Sequence, residues 1–190
     1  MKAYLDIEKK AFARARALLA GAPEEIPGVF ARSFNRAAEQ GRTAAINSVS
    51  RVYTIKRKEV KQTFKFYRAT RNNLEAEIES RGSDLDMGRF RVSPRHDTTG
   101  NNRKPIRVEI KRGNKITLDR AFIHGQKNGR PRVFYRVGTA RYPIRFANSS
   151  SIPTMLDNEK VTKEVQNVMR DSVFKRLEHE TKRALDKVAK

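Results

Sequence analysis

The sequence predicts an α+β fold, a mostly antiparallel β-sheet flanked by long N-terminal and C-terminal helices. Three observations predict it. Apolar residues recur three or four apart over 1–55 and again over 157–190, the spacing of one helix face. Over 56–156 they alternate instead with charged residues, the period of a strand with one face buried. The strand-like runs also follow one another through short Gly- and Asn-containing turns, which join antiparallel neighbours. The expected organisation is a single domain over 1–190.

The first helix is expected over Ile7–Ala20, with Ile7, Ala11, Phe12, Ala15, Leu18 and Leu19 on one side and Asp6 as N-cap. Gly21-Ala22-Pro23 ends it. A longer helix starts near Pro27, whose fixed φ suits a first turn. Its stripe is Phe30, Phe34, Ala37, Ala38, Gly41, Ala45, Val49 and Val52. Gly41 on that stripe means either close approach of a neighbour or a kink. Lys56–Phe64 reads as a short basic helix with Val60 and Phe64 inward, and Phe66–Thr70 as extended chain before an Asn72-Asn73 turn. Leu74, Ala76 and Ile78 alternate with Glu75, Glu77 and Glu79, a strand whose glutamates are expected to face the Arg89–Val92 strand or another copy.

Residues 94–104 hold no large apolar side chain and read as a flexible loop. Ile106, Val108 and Ile110 then alternate with charges, Gly113-Asn114 turns the chain, and Ile116 and Leu118 return on the same face. Ala121–Ile123 follows, with a polar turn over Gln126–Pro131. Val133–Val137 is apolar on both alternating sets except at Arg136, a strand covered on both faces. Pro143 opens the run Tyr142–Phe146, which places that strand at an edge. Residues 147–156 carry no charge and are either a docking segment or a buried connection. The last helix runs from about Asn158 to Ala189 on the stripe Val161, Val165, Val168, Met169, Val173, Leu177, Ala184, Leu185 and Val188. It is expected to pack at its start and project at its end.

The formal net charge is +21. Residues 81–146, about a third of the chain, carry 17 Lys and Arg against 5 acids, more than half of that excess. A polyanion, nucleic acid above all, is the natural partner of such a surface; an acidic protein is the other. There are no cysteines, which excludes disulfides and thiolate metal sites. His96, His124 and His179 are far apart and in no metal-ligand spacing, and Asp84 and Asp86 read as turn residues. No phosphate-cradling glycine loop, HExxH helix or nucleophile elbow is present, so no catalytic residue, cofactor or metal is expected. No apolar run approaches the ~20 residues of a membrane span. The acidic, helical start is unlike a signal peptide, so the chain is expected to begin in a cytoplasm.

Order and spacing of features carry a resemblance. Ala121-Phe122, the Lys127–Gly129 turn, Val133-Phe134 with Arg136 and Gly138, Arg141–Ile144, and Ser149–Pro153 resemble the minor tail protein Z family of tailed bacteriophages and prophages. So do the upstream Arg42-Thr43-Ala44, Tyr53–Lys56, Ala69-Thr70, Leu74, Ile78, Phe90 and Pro94. The resemblance covers roughly 25–185 and departs at Ala147-Asn148-Ser149, where a Gly-Pro-Ser turn is expected. It extends to neck and head–tail connector proteins with a similar sheet and long helices.

The resemblance implies a structural virion protein without enzymatic activity. It implies a tail-completion or neck role: a homo-oligomeric, hexameric ring at the head-proximal end of the tail, touching tail-terminator or tail-tube and head-connector proteins. Such a ring joins tail to head, places the genome end, is assembled in the host cytoplasm and resides in the virion. Non-specific contact with genomic DNA is expected through outward basic residues beside inward apolar ones: Arg89, Arg91, Arg107, Lys111, Arg132 and Arg145, with Arg103 and Lys104 on the loop. The same residues suit acidic tail or connector surfaces. The alternative is a freestanding, sequence-independent nucleic-acid-binding protein.

Overall fold

A computed structural model describes residues 9–99, 104–127 and 129–189. The fold is α+β, with long helices near both ends and every strand pairing antiparallel. Among the described residues the strands form four small sheets rather than one. The chain divides into two compact units: one of Met1–Ser48, Thr63–Arg81 and Leu156–Lys190, the other of Val49–Gln62 and Gly82–Met155.

In the first unit α1 (Lys9–Leu18) meets α2 (Ile26–Val52) and α5 (Glu159–Val188). Ala15 and Leu19 pack with Val29, Phe30, Leu177 and Ala184. Phe12 adds edge-to-face contact to Phe30, centroids 5.0 Å apart. The expected Asp6 cap and Ile7 lie outside the described residues. Leu18, expected inward, is 52% exposed, because α1 buries only the narrow stripe through Ala15 and Leu19.

Helices α2 and α5 run antiparallel in fixed register. Ser48 Oγ donates to Glu164 at 2.8 Å, Gly41 faces Met169, Arg32 pairs with Glu180, and Glu25, just before α2, accepts from Lys187 Nζ at 2.6 Å. Each step toward the C-terminus of one helix is a step toward the N-terminus of the other. Gly41 is a point of close approach and not a break: α2 is continuous through it, and a Cβ there would lie 2.4 Å from Met169 Cγ. The far end of α5, expected to project, is engaged instead, with Leu177 and Ala184 buried and Lys187 paired; Leu185 and Val188 remain exposed. Asn158 caps α5, accepting from Lys160 N–H at 3.1 Å.

A hairpin completes this unit. Strand β1 (Phe64–Tyr67) pairs with β2 (Glu77–Ser80), Lys65 opposite Glu79. Three expectations change here. Phe64 begins a strand, not a helix end, and Leu74–Ala76 is not strand. The partner of the glutamates is β1 and not Arg89–Val92, because the Thr63–Ser80 hydroxyl bond at 2.8 Å and the Arg81 N–H to Thr63 carbonyl bond at 3.0 Å close the nearer loop. The Asn35 side chain receives from Ala69 N–H and donates to its carbonyl, mimicking a strand neighbour.

In the second unit the last turn of α2 is closed by Arg112, whose guanidinium donates to the Ser50 carbonyl at 3.0 and 3.1 Å, a cation at the negative helix end. Then come α3 (Arg57–Gln62), β3 (Leu85–Asp86), a 3-10 turn at Met87–Arg89, β4 (Arg91–Ser93), β5 (Ile106–Glu109), β6 (Lys115–Leu118), β7 (Ala121–Lys127), β8 (Arg130–Arg136), β9 (Ile144–Phe146), β10 (Asn148–Ser149) and α4 (Ile152–Leu156). Sheets β4-β5-β6 and β7-β8-β9 are meanders, and β10 pairs with β3. Gly113 turns the first hairpin at φ +82 and Gly129 the second at φ +69, backbone that favours glycine. β7 and β8 pair out to Lys127–Arg130, so the expected polar turn over 126–131 is mostly strand. Ile116 is 43% exposed because β6 is an edge strand. Val133 and Phe134 are both buried in central β8, whereas Tyr135 and Val137 are exposed, so cover on both faces is confined to the strand's middle. Strand β9, following Pro143, is an edge, as expected.

In the described part of 94–104, Thr98 is buried, its N–H donates to Ile123 O at 3.0 Å, and its hydroxyl accepts from Ile123 N–H at 2.8 Å. Within 147–156, Ile152, Met155 and Leu156 are no more than 2% exposed, while Asn148, Ser150 and Thr154 are exposed. Where a Gly-Pro-Ser turn was expected, Asn148-Ser149 pairs with Leu85-Asp86.

Candidate interaction surface

Two buried glutamates, one in each unit, are held between arginines. Glu59 on α3 accepts from Arg89 at 2.9 Å, and Arg130 on β8 lies 2.6 Å from its other oxygen at an angle outside hydrogen-bond geometry. Glu180 on α5, fully buried, pairs with Arg32 of α2 and, at 2.7 Å, with Arg176 one turn earlier. Glu180 falls three residues after Leu177 and four before Ala184, on the apolar stripe of α5, and Glu59 precedes buried Val60; a pattern of apolar residues alone passes over both. Each of these arginines is paired yet partly exposed; the Arg89 side chain is 39% exposed beside Glu59.

The sheet β7-β8-β9 carries a row of rings. Phe122, Phe134 and Phe146 stand opposite one another across the three strands, with centroids 5.7 and 4.6 Å apart. Alternation along β8 puts Arg132 and Arg136 on the same face as Phe134. Arg132 lies over Phe146 at 4.8 Å and over Phe134 at 5.4 Å, and Arg136 over Phe122 at 4.9 Å. Stacking holds each guanidinium by its plane and leaves N–H edges available. Arg136 is fixed further by donating to the Arg141 carbonyl, and Arg141 lies 5.7 Å over Tyr142, which is 65% exposed.

Beside this row is a groove of two lobes, of about 560 and 600 Å³, which share Phe122 and Arg136 in their walls. Lys104, Arg120, Arg136 and Arg141 line it. Among the described residues its lining holds no Asp or Glu; Asp97 stands at one margin. Asp97 accepts from the Thr99 hydroxyl at 2.6 Å, from Thr99 N–H at 2.8 Å and from Gly125 N–H at 3.4 Å, with His124 Nδ1 at 3.1 Å. Those bonds, the Thr99 hydroxyl first, lower its pKa from 3.8 to about 2. Arg120 sits at φ +56, a left-handed backbone uncommon for a side chain of its size, in the turn from β6 to β7.

The eight basic candidates do not converge on one site. Lys104 lines the groove and Arg132 caps the ring row. Arg145 is exposed on the face of β9 opposite to Phe146. Arg91 and Arg107 share the outer face of β4-β5, where Arg91 is 3.4 Å from the Glu109 carboxylate. That carboxyl is held below its usual range, chiefly by Gly113 N–H donating to it at 2.9 Å and then by Arg91. Lys111 is exposed beside Tyr53, and Arg103 lies outside the described residues. Asp86, expected as a turn residue, ends β3 and caps the following 3-10 turn by accepting from Gly88 N–H at 2.8 Å.

The family model described as prophage minor tail protein Z matches residues 16–190, nearly the whole chain. The chain belongs to the prophage minor tail protein Z family. No curated protein and no solved structure matches it. The match includes both glutamate–arginine clusters, the ring row and the groove, so these are features of a phage minor tail protein, a structural component of the tail. Sequence reading missed Arg120, Arg136 and Arg141 in this tail protein. A signal was present: Arg132-x-Phe134-x-Arg136 has the period that places cations and a ring on one strand face.

Proposed function

We propose that this minor tail protein completes the head-proximal end of the tail. It acts as a hexameric ring, without catalysis, contacts tail-terminator or tail-tube and head-connector proteins, and helps join the tail to the head with the genome end in place. The family match over 16–190 carries this reading. Surface features support it. Leu18 and Val188 are each 52% exposed and Tyr142 is 65% exposed, apolar area available to neighbouring subunits. The paired α2 and α5, of 27 and 30 residues, form a stiff support for such contacts. The charge of +21 per subunit gives an assembled ring a strong positive field near a channel or rim.

The groove favours a second reading, a freestanding protein that binds nucleic acid without regard to sequence. Light scattering of the purified chain, at low and high salt and with and without duplex DNA, separates the two. Ring formation with a tail partner, with DNA binding that fades steeply as salt rises, supports tail completion. Tight, salt-resistant binding by a monomer or dimer promotes the second reading.

A further inference from the structure

The geometry points to the groove beside β7-β8-β9 as a seat for a single-stranded nucleic-acid backbone, with Arg136 as its central phosphate ligand. This deepens the proposed function, on which its biological setting rests, by naming residues and ligand class. Four cationic side chains, Lys104, Arg120, Arg136 and Arg141, line the two lobes, and no lining residue described is acidic. A phosphodiester chain is a polyanion whose successive charges can meet cations in both lobes. Arg136 is held in place before any ligand arrives, by the Phe122 ring and by the Arg141 carbonyl. A guanidinium stacked on a ring still offers paired N–H groups in the fork that suits phosphate.

Single strand is favoured over duplex by the aromatic at the mouth. Tyr142 lines the second lobe and is 65% exposed, so one of its faces is available to a base, and only an unpaired strand presents base faces. Contact through phosphates is independent of sequence.

The test is fluorescence anisotropy of a labelled thymidine oligonucleotide with the full chain across a salt series. The Arg136→Gln/Arg141→Gln variant is expected to bind at least tenfold more weakly and to reduce the slope of log affinity against log salt by about 1. Lys104→Gln/Arg120→Gln leaves the Arg136 stack intact and is expected to behave alike, which covers misfolding of the first variant. Tyr142→Ala is expected to weaken binding with the slope unchanged. Lys182→Gln/Arg183→Gln on α5 removes the same charge elsewhere and is expected to stay within twofold of the parent. Equal loss in that control, equal affinity for duplex, displacement by polyglutamate at matched charge, or no binding by the parent each overturns the proposal. Adding the groove variants to tail preparations keeps the two ideas apart. Tails completed by a protein that cannot bind the strand leave tail completion standing; failure of tail completion by a protein that still binds it refutes tail completion alone.

Discussion

Glu180 shows most directly how single residues are constrained here. Its carboxylate is fully buried, and its charge is tolerable only because Arg32 and Arg176 flank it. Glu180→Gln leaves two guanidinium groups facing a neutral amide, and is expected to destabilise the chain by about 3 kcal/mol in urea denaturation. Glu180→Asp shortens the reach and should fall between that variant and the parent. Asp97 is the opposite case, exposed and acid-sensitive. Its pKa is depressed in the folded chain, so its stabilising effect is complete above the unfolded value of 3.8 and disappears as pH falls toward about 2. The amide resonance of Thr99, whose N–H donates to Asp97, is therefore expected to shift at the acid end with a midpoint near pH 2. In Asp97→Asn that acid-side transition should be absent.

Among the elements, the α2–α5 pair depends on Gly41. Alanine is the better helix former by about 1 kcal/mol, so an isolated helix would gain from the change. In the pair, the new Cβ would sit 2.4 Å from Met169 Cγ, and overpacking of that kind costs about 1–3 kcal/mol. Gly41→Ala is expected to lower thermal stability, and Gly41→Ala/Met169→Ala to recover part of the loss. Heating monitored by circular dichroism checks both. How legible these elements were depended on where the information lay. Both long helices were readable because their stripes repeat at 3.6-residue period over many turns, and Asn158 marked the start of α5 by its capping chemistry. The β1–β2 pairing was not, because nothing in Leu74–Ser80 encodes its partner and hydroxyl bonding between Thr63 and Ser80 decides it. Thr98 likewise gave no signal, since its burial comes from backbone exchange with Ile123, 25 residues away.

For the whole molecule, the order and spacing of motifs pointed to a phage tail component, and the family match over 16–190 agrees. The candidate surface was less legible. Composition places basic residues in 81–146 without saying which are spent inside the fold. Arg89 and Arg130 are held by Glu59, whereas Arg91, paired with Glu109, keeps a side chain 67% exposed on the outer face. Only pairing of strands brought Arg136, Arg141, Arg120 and Lys104 around one groove. The proposed place of this chain in the particle is tested most directly by electron microscopy of phage particles produced with and without it. Particles with it should show ring-shaped density at the head-proximal end of the tail, and without it full heads and finished tails should accumulate unjoined. Normally joined particles lacking the chain, or its density at the distal tip, would contradict a role in completing the head-proximal end.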